Sequence, residues 1–502
     1  MLMLDDAYHR LIVTLRQNAD IAATLHLLGW DQETHMPAGT VETRARQIGT
    51  LAALLHTHRT APAFLDLVDE LAMQLDRLTP WQAVDVRETK WHLDRTRALD
   101  TELVRERSML HAQARSIWIT AREQNDFAML APWLARIVDL ERRVAAMIDA
   151  HRAPYDVLLE DYEPGTSTAS VEAIFQNLRE GLLPLIERLQ ARLAARPLSS
   201  SALRGHFPID AQRRFGRIVA ERIGFDFNKG RLDEAVHPFT TSIGDDVRLT
   251  TRYDERDLRY ALYSTIHETG HGLYEQGLDS AAWGTPRGTA CSLGIHESQS
   301  RLWENQVGRS AAFWSQLLPT ARQFFPDLAG VSLDAILLTV NEARPSLIRT
   351  EADEITYNLH IILRFELERA LIDGSLAVGD LPGAWHEKMR QYLGVLPDTD
   401  RDGVLQDVHW ASGAIGYFPT YTLGNIYAAQ LLHAAETALG PLDALLGTGE
   451  FAVLLDWLRT HVHRVGQMHR APALIEAATG TPPTSRPLIE HLERKVAFLE
   501  SA

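Results

Sequence analysis

The sequence predicts an all-α, mainly helical protein interrupted by one small β-hairpin or sheet near residues 237–253. Three observations carry this prediction. Apolar residues recur at three- and four-residue steps over most of the chain, the period of a helix with one face in a core. Ala, Leu, Arg, Glu and Gln, all good helix formers, fill those segments. One stretch differs: "HPFTTSIGDDVRLTTRY" is β-branched and partly alternating, with a turn signal at Gly244-Asp245.

In chain order, "AYHRLIVTLRQNADIAATLHLLGW" opens the helical pattern, and "MPAGT" (36–40) breaks it. "LARIVDLERRVAAMIDAH" and "VEAIFQNLREGLLPLIERLQARLAA" repeat the pattern. The Ser and Thr residues of "GTSTASVEAIF" offer an N-cap for the second of these. Further breaks fall at 161–169, 196–208, 279–294 and 394–419. The β segment sits immediately before a helical pattern from Leu258 to Leu278, whose core stripe is Leu262, Ile266 and Leu273. No Gly/Ser or Pro-rich linker and no long single-sign charge run divides the chain. A single domain over 1–502 follows, with an N-terminal helical part over about 1–205 and a second part over about 206–502.

Of the 502 residues, 45% are hydrophobic, enough to build a large core. The net charge of −16 lacks the basic footprint that a nucleic-acid partner needs. The single cysteine, Cys291, excludes an internal disulfide and a cysteine-rich zinc site, and fits a reducing cytoplasm. The start, "MLMLDDAYHRLIV", carries acids where a signal peptide is basic. No run approaches the ~18–20 apolar residues of a membrane span, so a cytoplasmic protein without a membrane partner is expected.

The chemistry concentrates in "STIHETGHGLY" (264–274). His267 and His271 stand at i and i+4, so both project from one helix face about a turn apart. Two imidazole nitrogens at this spacing converge on one Zn²⁺ at ~2.0–2.1 Å. Glu268, rotated ~100° from His267, faces water rather than the metal and is the candidate general base. Gly270 and Gly272 each cost ~1 kcal/mol against alanine in a helix interior, which predicts a close approach by another backbone or a substrate. A catalytic zinc needs a third protein ligand and one open position. Glu275 is excluded, because it lies ~12 Å from His267 along a helix rising ~1.5 Å per residue. The segment "GIHESQSRLWENQVG" (294–308) offers Glu297 and Glu304, with His296 as a rival. Glu297 is favoured, since a Gly/Pro-containing loop lets its helix turn back alongside the first; the alternative for Glu304 is a solvated helix face.

With these residues in view, the chain resembles the carboxypeptidase Taq family of zinc metallocarboxypeptidases. The resemblance runs from "LGWDQETHMP" and "YDVLLEDYEPG" through "HPF" (237–239), "DVRLT" (246–250), "HETGH" (267–271), "HESQSR" (296–301), "IRTEAD" (348–353), "GVLQDVHW" (403–410) and "GYFPTYTLGN" (416–425). It implies a single saddle-like helical body with a deep groove, commonly a homodimer. It also implies broad removal of single residues from free peptide C-termini, with Zn²⁺ as the cofactor and Co²⁺ able to substitute. His267, His271 and Glu297 fall on the family's ligand positions and Glu268 on its catalytic glutamate. The resemblance further implies Arg349, with Arg248, as the carboxylate-binding groups, Tyr421 as the oxyanion donor, and His237 and His409 as substrate contacts. A planar guanidinium suits bidentate pairing with a terminal carboxylate.

Two rivals remain at this level: a zinc endo-oligopeptidase using the same motif, and a helical scaffold with a vestigial metal site. "DTDRDGVLQDVH" (398–409) imitates a calcium loop but has His409 where the bidentate glutamate belongs.

Overall fold

A computed structural model describes residues 2–195 and 201–501, so the first part of the expected break at 196–208 lies outside the described residues. Helices dominate. α1 (Leu2–Thr34) and α2 (Val41–Arg59) flank the break at 36–40, followed by α3 (Pro62–Ala72) and α4 (Pro80–Arg97). A capping box starts α4: Thr79 Oγ1 accepts from Gln82 N, and the Gln82 side chain accepts from Thr79 N at 2.9 Å. The inner faces of α1, α3 and α4 share a small core around Leu11, Val68, Leu71 and Val86, all with no exposure.

A second, larger core begins with α5 (Thr101–Gln124), α6 (Phe127–Ile148), α7 (Pro154–Leu159), α8 (Thr168–Ala195) and α9 (Ile209–Ile223). The serines expected to cap α8 do so, with Ser170 N donating to Ser167 Oγ at 3.2 Å. Next come β1 (Gly230–Glu234), β2 (Thr240–Ile243) and β3 (Asp246–Thr251), in sheet order β1-β3-β2. Strands β2 and β3 are the expected antiparallel hairpin, with Gly244 at φ +66° in its turn. Strand β1 is an addition; it runs parallel to β3 with Gly230 opposite Val247. Val247 and Leu249 are buried toward α10 (Leu258–Gly277), so the intervening Arg248 points to the other face of the sheet. Leu262, Ile266 and Leu273, the stripe read from the sequence, are at most 1% exposed.

The chain continues through α11 (Leu293–Arg301), α12 (Ala311–Phe324), α13 (Leu333–Val340), α14 (Tyr357–Asp373), α15 (Leu381–Leu393) and α16 (Pro419–Leu439). It ends with α17 (Leu442–Gly447), α18 (Phe451–His461), α19 (Ala471–Thr479) and α20 (Arg486–Ser501). Helices α14 and α16 bury residues all round their circumference, which marks them as interior helices. No helix among the described residues is long and apolar enough to cross a membrane.

Candidate active site

Helix α10 carries His267 and His271 on one face, with ring centroids 4.9 Å apart. Helix α11 runs beside it and supplies Glu297, whose Oε2 lies 3.4 Å from His271 Nε2 and 3.7 Å from His267 Nε2. One ligand atom from each of the three fits within 4.8 Å of the others. Tetrahedral coordination with bonds of ~2.0–2.1 Å places ligand atoms roughly 3.3 Å apart, so this donor set fits a divalent ion.

Two glycines make the approach physically attainable. A Cβ on Gly270 would stand 2.6 Å from Gln299 O and 2.6 Å from Ser300 Cα, so only glycine lets α11 lie this close to α10. A Cβ on Gly424 of α16 would stand 2.7 Å from Glu297 Cγ, so α16 closes on the carboxylate from the other side. The helix penalty anticipated at Gly270 is thereby explained, and Gly272 likewise admits Phe225 and Leu249.

Both imidazoles are held from behind. His267 Nδ1 donates to Glu304 Oε2 at 2.8 Å. Glu304 is not a solvated face residue; its side chain is only 12% exposed. It lies on a π-helical turn, Leu302–Val307, in which Gly308 N donates to Trp303 O at 2.8 Å. Arg301 ties the two acids together, donating to Glu297 Oε1 at 2.6 Å and to Glu304 Oε2 at 3.3 Å. Behind His271 stand the two residues weighed as ligands and not used as such. His296 Nε2 donates to Glu275 Oε1 at 2.8 Å, which leaves His296 Nδ1 to accept from His271 Nδ1 at 2.6 Å. Each Nδ1 is thus engaged and each Nε2 turns toward Glu297, so the nitrogen offered to an ion is Nε2 on both rings.

Charge follows the same logic. Burial works against Glu297 and Glu304 as anions, yet Arg301 and His267 outweigh it: Glu297 is held well below the usual carboxylate range and Glu304 falls to about 2. Against burial, the same two acids raise His267 to about 8, so binding an ion at its Nε2 displaces a proton. Burial pulls His271 down to about 4, which keeps it neutral and able to ligate. Replacing Glu304 with alanine is expected to weaken metal binding about 10–100-fold by freeing the His267 ring. A zinc competition titration measures this, and unchanged affinity would remove the orienting role.

Glu268 is buried, and its Oε2 accepts from Thr240 Oγ1 at 2.7 Å. Strand β2 therefore aims this carboxylate. Burial raises its pKa above the ordinary carboxyl value against the opposing pull of His267 and Thr240.

A cleft of ≈ 660 Å³ is lined by His267, Glu297, Arg301, Arg349, Tyr357 and Tyr421 among others. Arg349 is 6% exposed. Its Nε and Nη2 donate to Asp407 Oδ1 at 3.0 and 2.8 Å, and its Nη1 donates to Tyr357 OH at 3.2 Å. The Tyr357 ring lies under Arg301, 4.8 Å from its guanidinium carbon. One tyrosine thus separates Arg349 from the arginine that holds Glu297. Tyr421 lies under Arg349 at 5.0 Å, with its OH 3.2 Å from His409 Nε2. Burial lowers His409 to about 4, a neutral imidazole.

Two residues expected in substrate contact are not brought to this cleft. Arg248 pairs with Asp246 at 2.6 Å and stacks on Trp30 at 4.1 Å, on the sheet face turned away from α10. His237 is exposed on the loop between β1 and β2. Sequence reasoning missed Thr240, Arg301, Tyr357 and Asp407. Arg301 and Asp407 stand inside the quoted motifs "HESQSR" and "GVLQDVHW"; Thr240 and Tyr357 have no local signal. In the calcium-like loop, Asp400 Oδ2 accepts from Phe127 N at 3.3 Å and Asp402 Oδ2 from Thr399 Oγ1 at 2.9 Å, so these two acids serve as backbone and hydroxyl acceptors.

Comparison with known proteins gives a consistent result. Residues 10–496 match the model of the carboxypeptidase Taq (M32) metallopeptidase family. The chain is 45% identical to thermostable carboxypeptidase 1 of Thermus thermophilus, over 98% of this chain and 99% of that one. It is 37% identical to carboxypeptidase 1 of Bacillus subtilis, with 97% of each chain covered. The crystal structure of the M32 carboxypeptidase from Deinococcus radiodurans superposes with a TM-score of 0.96 at 42% identity, covering 99% of this chain and 100% of that one.

Proposed function

Since the chain belongs to the carboxypeptidase Taq (M32) family of metallopeptidases and is a peptide hydrolase, we propose that it is a zinc-dependent carboxypeptidase that removes single residues from free peptide C-termini with broad preference. One observation carries this reading: a single cleft contains both His267 with Glu297 and the buried Arg349. A buried cation in the cleft that holds the metal donors suits a terminal carboxylate, a charge that an internal peptide bond lacks.

His267, His271 and Glu297 hold the ion, zinc or cobalt in its place, which supplies Lewis acidity and activates water when bound. Arg349 receives the terminal carboxylate through its planar fork. Glu268, a carboxylate made more basic by burial, takes the proton of the attacking water and returns it to the leaving amine. Tyr421 OH donates to the oxygen that gains charge at the scissile carbonyl, and His409, neutral and 3.2 Å away, orients that hydroxyl.

Digestion of a decapeptide followed by mass spectrometry tests the proposal. The expected product series is a ladder of single C-terminal losses. The same peptide with an amidated C-terminus should be cut at least about 100-fold more slowly, because the charged partner of Arg349 is gone. Internal fragments, or equal cleavage of acid and amide, would overturn it.

A further inference from the structure

Beneath Arg349 lies a second arginine that the mechanism above does not use. Arg364 on α14 has no exposure at all. Its Nε and Nη2 both reach Asp407 Oδ2, at 2.8 and 2.6 Å, while Arg349 occupies Oδ1 of the same carboxylate. Its guanidinium is roofed by Trp385 at 4.5 Å, and Nη1 donates to His360 O at 2.7 Å. Two buried cations therefore share one anion.

Neighbouring groups correct the imbalance only in part. His360 and His409 are held neutral, first by burial; nearby arginines add to the same effect. Glu368, one turn along from Arg364, is already engaged by Tyr155 OH at 2.7 Å, Trp410 Nε1 at 2.9 Å and Gly416 N at 3.1 Å. Burial also raises Glu368 to about 7. A buried cation left short of an anion is costly unless something supplies the missing charge. Of the two arginines, only Arg349 lines the cleft.

We propose that Arg364 is a positioning residue for the carboxylate clamp: by drawing on half of Asp407 it keeps Arg349 undercompensated, and the C-terminal carboxylate of the substrate completes the charge balance. This rests on the reading of Arg349 as the clamp. Without Arg364, the whole charge of Asp407 would fall on Arg349 and cancel its attraction for a second anion.

The test compares N-acetylphenylalanine with N-acetylphenylalaninamide as competitive inhibitors of the metal-loaded enzyme. Wild type should favour the acid. Arg364→Gln should lose about tenfold or more of the acid's affinity and leave the amide's unchanged. Arg364→Lys, which keeps the charge, should retain the preference. The double variant Arg364→Gln with Asp407→Asn leaves Arg349 as the one charge and should regain it. A merely structural role predicts that the double variant is worse than either parent, which would overturn the inference; so would an unchanged preference in Arg364→Gln. Should Arg364→Gln fail to fold, Arg364→Met, which keeps the length of the stem without the charge, takes its place and is read in the same way. Arg349→Ala separates the two levels. If it too keeps the preference, the clamp reading fails; if it alone loses the preference, only the role of Arg364 fails.

Discussion

Replacing Glu268 with glutamine is expected to lower kcat by about 10²–10⁴-fold, the usual worth of a positioned general base. The metal content should not change. The three ligand atoms come from His267, His271 and Glu297, and the one side-chain hydrogen bond seen for Glu268 joins it to Thr240 on β2. Glutamine keeps an oxygen to accept from Thr240 and fills the same volume, so folding and metal affinity are preserved while the site for a proton is lost. Because burial raises Glu268 above the ordinary carboxyl value, the acidic limb of the wild-type kcat/KM profile should lie above the pH at which a free glutamate titrates. Turnover measured beside metal analysis decides the matter. A variant with a full metal complement and kcat within about threefold of wild type would end the assignment of Glu268 as base.

Replacing Glu297 with alanine should have an effect as large by a different route, through loss of the ion itself. It removes one of three ligands, so affinity should fall by more than the ~100-fold typical of losing a group behind a ligand. It also leaves Arg301 with Glu304 as its remaining carboxylate partner. An unpaired donor in a buried position costs about 1–3 kcal/mol, so a lower unfolding midpoint should accompany the loss of metal. Chelation of wild type should reproduce the inactivity, and added zinc or cobalt should reverse it. Stoichiometric metal in Glu297→Ala would show that another group completes the site.

Some of this arrangement could be read directly from the chain. The pairing of His267 with His271 is local: four residues along a helix bring two side chains to one face whatever surrounds them. The β2–β3 hairpin was legible for the same reason, since Gly244-Asp245 sets its own turn. Strand β1 was not. "GRLDE" has little intrinsic strand preference and becomes a strand because β3 offers it a parallel edge. Glu304 illustrates the same limit. Read as an ordinary helical position it could face solvent, but the π turn at Leu302–Val307 and the nearness of α10 bring it to His267. Arg248 shows the converse: a motif placed it among substrate contacts, and strand alternation turned it toward Trp30.

The sequence by itself determined the predominantly helical fold, the face on which two imidazoles meet, and the presence of a glutamate beside them, because helical period and i, i+4 spacing are properties of a single segment. Only the tertiary structure decided how Glu297 is seated, which groups stand behind the histidines, and how two arginines come to share Asp407. Those outcomes depend on how closely separate elements can approach: for Glu297 the distance is set by the missing side chains of Gly270 and Gly424, and for Asp407 by the packing of α14 against the segment that carries Arg349.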